Sequence, residues 1–304
     1  MEVGEVLVVF NYQMFLQLVV FGLVAGGLYA LVASGLSLIY GVMKILNIAH
    51  GEFLMIGAYV MFWLFTLAGV SPLLSVAVTT PLLFVLGLLI FKVVIVPLER
   101  VGSRHLVERS TLIAFFGIMI VLQNTALVLW SADYRSVTYL VEPLHFLFIN
   151  ISANRVVVLG ISIVIVLLLE FFMTRTYPGK AIRAITQDRE AGMLMAINAE
   201  RLSLFCFGFG TALAGIGGSL AGILNVITPT MGFPFLVKAF VVMIIGGLGN
   251  MMGCLYAGLL LGVLEFIGAH LFGEGYRSAI EYVILIVFLL LVSRGYLGKV
   301  RGAL

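Results

Sequence analysis

The sequence predicts an all-α polytopic membrane protein with about nine transmembrane segments (eight to ten), arranged as an inverted-topology repeat. Three observations predict this. Of 304 residues, 62% are hydrophobic and 10% charged, where a soluble domain carries about 25% charged residues. No Asp, Glu, Lys or Arg falls between Glu5 and Lys44, Glu52 and Lys92, Arg109 and Asp133, or Arg201 and Lys238. A hydrocarbon core of roughly 30 Å needs about 20 apolar helical residues, so these runs are long enough to cross. The third observation is a stripe of small residues that recurs in two distant spans.

The apolar runs place spans at 14–41, 48–68, 72–96, 110–131, 154–173, 202–224, 235–250, 253–271 and 278–293. Continuous runs rather than alternation speak against a transmembrane barrel. The seventh segment is short enough to be re-entrant. Glu2 and Glu5 stand where a secretory signal would carry basic residues, so no cleaved signal is expected. Cys206 and Cys254 both lie in apolar stretches, suggesting neither a disulfide framework nor a metal site.

Orientation follows from Lys and Arg, which concentrate in cytoplasmic segments. With the N-terminus outside, twelve fall inside: Lys44, Arg100, Arg104, Arg109, Arg175, Lys180, Arg183, Arg189, Arg201, Arg294, Lys299 and Arg301. Four fall outside, Arg135, Arg155, Lys238 and Arg277, and Lys92 sits near an inner helix end. The N-terminus is therefore expected outside and the C-terminus in the cytoplasm.

Gly22, Gly26, Ala30 and Ser34 recur every four residues in the first span, as do Gly210, Ala214, Gly218 and Gly222 in the sixth. Such stripes let helix backbones approach closely, and each alone reads as ordinary helix packing. Together they lie five spans apart, so their helices cross in opposite directions. Four spans (14–131), a linker span (154–173) and four more (202–293) would form an inverted repeat, a common transporter architecture. Shifting Gly22 onto Gly210 brings His50 onto Lys238.

The segment "NIAHGEF", Asn47 to Phe53, places His50 and Glu52 against an apolar run. Residues 53–68 alone span about 24 Å as helix, so the span must start near Ile48. Asn47 is then expected as N-cap, with His50 and Glu52 at the inner margin of the bilayer. Ionisable groups at such depth face the bundle interior. They either line a path, where a helix N-terminus can meet a carboxylate, or lock the helix to its neighbours. Glu265 faces the same choice, with structural pairing preferred. Gln123, Asn124 and Asn225 are further polar residues within spans.

Residues 174–201 form the substantial cytoplasmic loop. Pro178 and Gly179 end one helix and suit the start of another. Ala181, Ile182, Ile185, Ala191, Leu194 and Ile197 continue an amphipathic pattern, with Lys180, Arg183, Asp188 and Arg189 at polar positions and breaks expected at Gly192 and Asn198. A basic interfacial helix on lipid is one reading; the acidic Asp188 and Glu190 favour docking to a protein.

"GKAIRAITQDREAGMLMAIN" resembles the coupling loop of ABC-importer permeases in the form used by the branched-chain amino acid uptake family. The resemblance carries Gly179, Lys180, Ala181, Arg183 and Ala184 onto the opening of that motif, and Asp188, Arg189, Ile197 and Asn198 onto its close. Relatives often have Leu-Gly before the final Ile-Asn, where this chain has Met195 and Ala196. Residues 26–60, which include His50-Gly51-Glu52, resemble the family's opening signature, and residues 238–265 its Gly-Gly-x-Gly segment. "GLYALVASGLSLIYG" is similar to the H-type rather than the M-type subunit.

The resemblance implies a single ABC-importer transmembrane domain over residues 1–304, in a bacterial or archaeal inner membrane. It also implies an M-type permease partner, two cytoplasmic ATPases that consume the ATP, and a periplasmic or lipid-anchored solute-binding protein. No cofactor or metal bound by this chain is expected. Neither Gly179-Lys180 nor Gly298-Lys299 continues into the Ser or Thr of a phosphate-binding loop. Candidate path residues are Asn47, His50, Glu52, Lys238 and Glu265. Competing readings are an ion-coupled secondary transporter with His50, Glu52 and Glu265 as relays, or a passive channel. A membrane enzyme lacks the remaining ligands or nucleophile.

On the outer side, residues 131–155 suggest a docking surface for a binding protein or a cover over helix ends. Val137, Tyr139 and Val141 alternate as in a short strand that Pro143 ends. Gly246, Gly247 and Gly249 around Asn250 predict a tight helix–helix corner.

Overall fold

The computed structural model describes residues 12–101, 104–146 and 149–294. Glu2, Glu5, Gly298, Lys299 and Arg301, which entered the reading of the termini and the charge balance, lie outside them. In chain order the helices begin with α1 (Tyr12–Met43), α2 (His50–Ala68) and α3 (Pro72–Ile90). A π-helical turn, Phe91–Ile95, carries α3 into α4 (Val96–Val101), and α5 (Arg104–Trp130) follows. A hairpin of β1 (Pro143–Phe146) and β2 (Ile149–Ser152) leads into α6 (Ala153–Arg175). Short helices α7 (Tyr177–Gln187) and α8 (Arg189–Leu194) precede α9 (Ala199–Leu224), α10 (Gly232–Gly246), α11 (Met251–Phe272) and α12 (Arg277–Ser293).

Among the described residues, eight helical stretches are long and apolar enough to cross a membrane, and α10 is a shorter apolar helix. The chain is thus all-α and polytopic, and the segment expected to be short is the short one. Helix ends follow local chemistry. Ser71 Oγ accepts the Leu74 N–H at the start of α3, Asn198 Oδ1 accepts the Arg201 N–H at α9, and Asn250 Oδ1 the Gly253 N–H at α11. Each satisfies a donor that a helix start leaves open.

Helix α9 is the most enclosed, whereas α5 and α12 turn most of their apolar side chains outward. That arrangement suits lipid rather than water. Along α1, Ile39 and Gly35 meet Gly210, and Val32 meets Gly217, so α1 and α9 run in opposite directions. Gly22 and Gly26 press against the α11 backbone at Gly262–Val263 and Gly258–Leu259, and Ala30 meets Gly258. Ser34 closes its stripe by donating to the Ala30 carbonyl. In α9, Gly210 faces α1, Ala214 is fully buried, and Gly218 and Gly222 receive Leu54, Ala58 and Met61 of α2. Both stripes are packing surfaces, as their spacing suggested. The partners of the two halves correspond: α1 lies along α11 as α3 lies along α9, and α10 packs on α1 as α2 packs on α9.

The hairpin and the α7–α8 segment mark opposite ends of the bundle. At the hairpin end the expectation for residues 137–141 is corrected. No strand forms there; Pro143 begins β1, paired antiparallel with Ser152. Proline is tolerated at the first residue of an edge strand, where no ladder donor is required. Arg135 ties this region down by pairing with Ile227 in both backbone directions and by donating Nη2 to the Trp130 carbonyl.

Candidate functional site

The chain turns back on itself after α1. Lys44 takes a left-handed conformation at φ +56°, and Asn47, Ala49 and His50 are fully enclosed. Two expectations for this stretch need correcting. The residue before α2 is Ala49, which offers no side-chain cap, and the Asn47 amide finds no hydrogen-bond partner among the described residues. Asn47 is therefore not the N-cap, because the chain carries it into the bundle before the helix begins. His50 is also deeper than a margin position. Its Nε2–H donates to the Val32 carbonyl at 3.2 Å, and Val32 lies about 16 Å along α1 from Met43 at 1.5 Å per residue.

Helix α10 begins at the same place from the other side. Gly51 and Gly232 touch through their backbones, and Leu236 also reaches Gly51. The N-termini of α2 and α10, each with a partial positive charge, therefore converge inside the bundle. Beside them, His50 Nδ1 and Glu52 Oε2 join the Asn47 amide as buried polar atoms without a hydrogen-bond partner among the described residues.

The remaining two predicted path residues form a separate group. Lys238 Nζ lies 2.7 Å from Glu265 Oε1 and 2.8 Å from Glu281 Oε1, and donates to the Tyr29 hydroxyl at 2.9 Å. Arg277 Nε reaches the same Glu265 oxygen at 2.5 Å. Glu265 is fully buried and pairs with two cations, Lys238 of α10 and Arg277 of α12. Tyr29, Arg277 and Glu281 were missed in that role. A usable signal was Arg277 and Glu281, two opposite charges one helical turn apart at the edge of the last apolar span.

This group borders a cavity of about 330 Å³ between α1, α6, α9, α10, α11 and α12. Its wall combines Phe21, Leu28, Phe235 and Phe266 with Arg155, Lys238 and Arg277.

At the opposite end, α7 and α8 form a compact unit. Thr176 Oγ1 caps α7 at Gly179, and Gly179 lies flat on the end of α6, where a side chain would strike Phe172 and Met173. Ile182 and Ile185 are buried and Ala181 and Ala184 half-buried, while Lys180 and Arg183 are exposed and Arg189 half-buried. Asp188 splits the expected helix by capping α8 through the Glu190 and Ala191 N–H groups. Gly192 lies within α8, packed on Ile185, rather than marking a break. Asn198 is a break as expected, since it caps α9.

Helix α8 closes in a Schellman motif. The Ile197 N–H donates to the Gly192 carbonyl and the Ala196 N–H to that of Met193. Ala196 takes the left-handed position at φ +59°, where a glycine would be unstrained. The turn exposes Met193, Leu194 and Met195 as an apolar tip, although Leu194 was expected on the packed face of the amphipathic pattern.

Helix α7 also touches the corner between α10 and α11. Thr186 meets Gly249 and Gly41, and the Gly249 N–H donates to Ser37 Oγ at 2.8 Å. Gly247 and Gly249 have φ of +90° and +82°, building the corner predicted between α10 and α11.

Residues 18–292 match the family described as "Branched-chain amino acid transport system / permease component". Over 296 residues the chain is 34% identical to the high-affinity branched-chain amino acid transport system permease protein BraD of Pseudomonas aeruginosa, covering 94% of this chain and 96% of that protein. The permease protein LivH of Salmonella typhimurium is 31% identical, with 95% and 97% covered. A probable LivH of Methanocaldococcus jannaschii is 28% identical, with 91% and 90% covered. No solved structure matches. With a match spanning nearly every described helix, this multi-pass membrane protein belongs to the branched-chain amino acid transport system permease family.

Proposed function

We propose that this chain is the H-type membrane subunit of an ATP-driven importer for branched-chain amino acids or related small polar solutes such as urea, amides or aromatic acids. It sits in a bacterial or archaeal inner membrane with the hairpin end outside and α7–α8 in the cytoplasm. An M-type permease completes the membrane part, two ABC ATPases dock beneath, and a solute-binding protein delivers ligand at the hairpin end. Branched-chain amino acids as substrate are supported by the relatives' names.

The observation that carries energisation by a partner is the α7–α8 unit. It presents exposed Lys180 and Arg183 beside the bare Leu194–Met195 tip, and its Thr186 rests on the α10–α11 corner. A protein docking there would push directly on α10. The opposed directions of α1 and α9 and the corresponding helix partners support an inverted repeat about the Gly51–Gly232 contact. In that arrangement Asn47, His50 and Glu52 line the path, a reading supported by the Asn47 amide, His50 Nδ1 and Glu52 Oε2 having no hydrogen-bond partner among the described residues.

Reconstitution with the ATPases and binding protein tests the reading. Wild type should import branched-chain amino acid only with ATP, and Arg183→Glu should abolish both ATPase association and uptake. Normal ATP-driven uptake by that variant would refute the docking role. A second reading, an ion-coupled transporter using the enclosed His50 and Glu52, predicts uptake that collapses with an uncoupler while ATP persists.

A further inference from the structure

The cavity at the hairpin end has a chemical signature of its own. Its lining includes Arg155, Lys238 and Arg277 but no carboxylate. Glu265 and Glu281 instead stand behind Lys238 and Arg277 and hold them in place. Arg155 differs from the other two cations. Its guanidinium lies over the Phe21 ring at 4.3 Å, and among the described residues no carboxylate lies in ion-pair distance of it. It also sits in the first turn of α6, where the helix dipole disfavours a cation.

Stacking on Phe21 covers one face of the guanidinium and leaves its edge donors available. Those donors match a carboxylate in a planar, two-pronged fashion. Leu28, Phe235 and Phe266 add an apolar surface to the same lining. At about 330 Å³ the volume is at the lower end for a small-molecule site. A compact solute with an apolar body and one anionic end fits these features; a neutral polar solute would leave Arg155 unanswered.

We propose that this cavity is a binding site for small amphipathic carboxylates, with Arg155 receiving the carboxylate and the Leu28–Phe235–Phe266 wall the apolar body. The site rests on the importer reading for its place on a path, but its chemistry is testable without ATP.

The test uses the assembled transporter carrying Ala25→Cys in the cavity wall, or Leu28→Cys should the first fail to assemble. Cys206 and Cys254 are buried. Labelling by a thiol reagent is followed with no nucleotide present. L-Leucine and 4-methylpentanoate should slow labelling, and 4-methylpentanamide should not. Arg155→Gln should raise the protecting concentration at least about tenfold, the loss of one charge-assisted interaction, and Arg155→Lys should recover part of it. Equal protection by the amide, unchanged protection in Arg155→Gln, or no protection by either carboxylate would overturn the site. ATP-driven uptake measured on the same preparation separates the two ideas. Uptake without carboxylate-selective protection removes the site alone, and selective protection without ATP-driven uptake removes the importer reading alone.

Discussion

Gly51 of α2 and Gly232 of α10 meet backbone to backbone, each carbonyl oxygen filling the space that a β-carbon on the other would need. The contact joins two helix starts that enter the bundle from opposite ends. Gly51→Ala or Gly232→Ala forces the helices apart, an overpacking that costs about 1–3 kcal/mol. The double variant should cost less than the sum of the singles, since the first substitution already breaks the shared contact. Thermal unfolding of the purified assembly measures both; fully additive losses would show that the two sites are independent.

Lys238 holds two buried carboxylates, but not equally. Glu265 keeps Arg277 if Lys238 is lost, whereas Lys238 is the only ion-pair partner of Glu281 among the described residues. Lys238→Met should therefore destabilise by about 3–5 kcal/mol, the usual result of stranding a buried charge. Adding Glu281→Gln should recover part of this loss. A double variant no more stable than Lys238→Met would contradict the assignment.

Ala196 occupies a left-handed position that glycine enters without strain. Ala196→Gly should stabilise the α8–α9 turn by about 1 kcal/mol. Protection of the Ile197 amide in hydrogen exchange should rise with it.

Among the described residues the His50 side chain makes one hydrogen bond, to Val32, and the Asn47 side chain makes none. A clamp would cost assembly when removed. His50→Ala and Asn47→Leu should instead leave the complex assembled by size-exclusion chromatography and lower uptake at least about tenfold, a loss of roughly 1.4 kcal/mol or more. Lost assembly at normal specific uptake would make them structural.

How much was legible depended on whether the signal was local. Long uncharged runs declared the spans, glycines around Asn250 declared the corner, and the amphipathic pattern of Ile182 and Ile185 declared α7. What failed depended on where a segment lies in space. Asn47 has a capping residue's chemistry, but the chain from Lys44 turns inward and buries it away from a helix start. Pro143 reads locally as a strand breaker, yet the hairpin edge admits it. The clustering of Tyr29, Lys238, Glu265 and Arg277 joins four helices, and no spacing along the chain encodes it. Leu194 reads in the sequence as part of an amphipathic face, but the Schellman turn sets it outside that face.

The Ser37 hydroxyl and the Thr186 methyl both hold Gly249, while the same fifteen-residue helix that ends at this corner carries Lys238 beside the cavity. A helix of that length is a stiff rod, so displacement at one end cannot be absorbed before the other. Thermodynamic reciprocity then binds the two ends. Under the two proposals above, whatever factor a docked partner imposes on solute affinity in the cavity, an occupied cavity must impose on the partner's affinity for α7–α8. If the proposed partner docks on α7–α8 and the proposed solute fills the cavity, any coupling other than unity would let the α7–α8 end report whether the cavity is occupied.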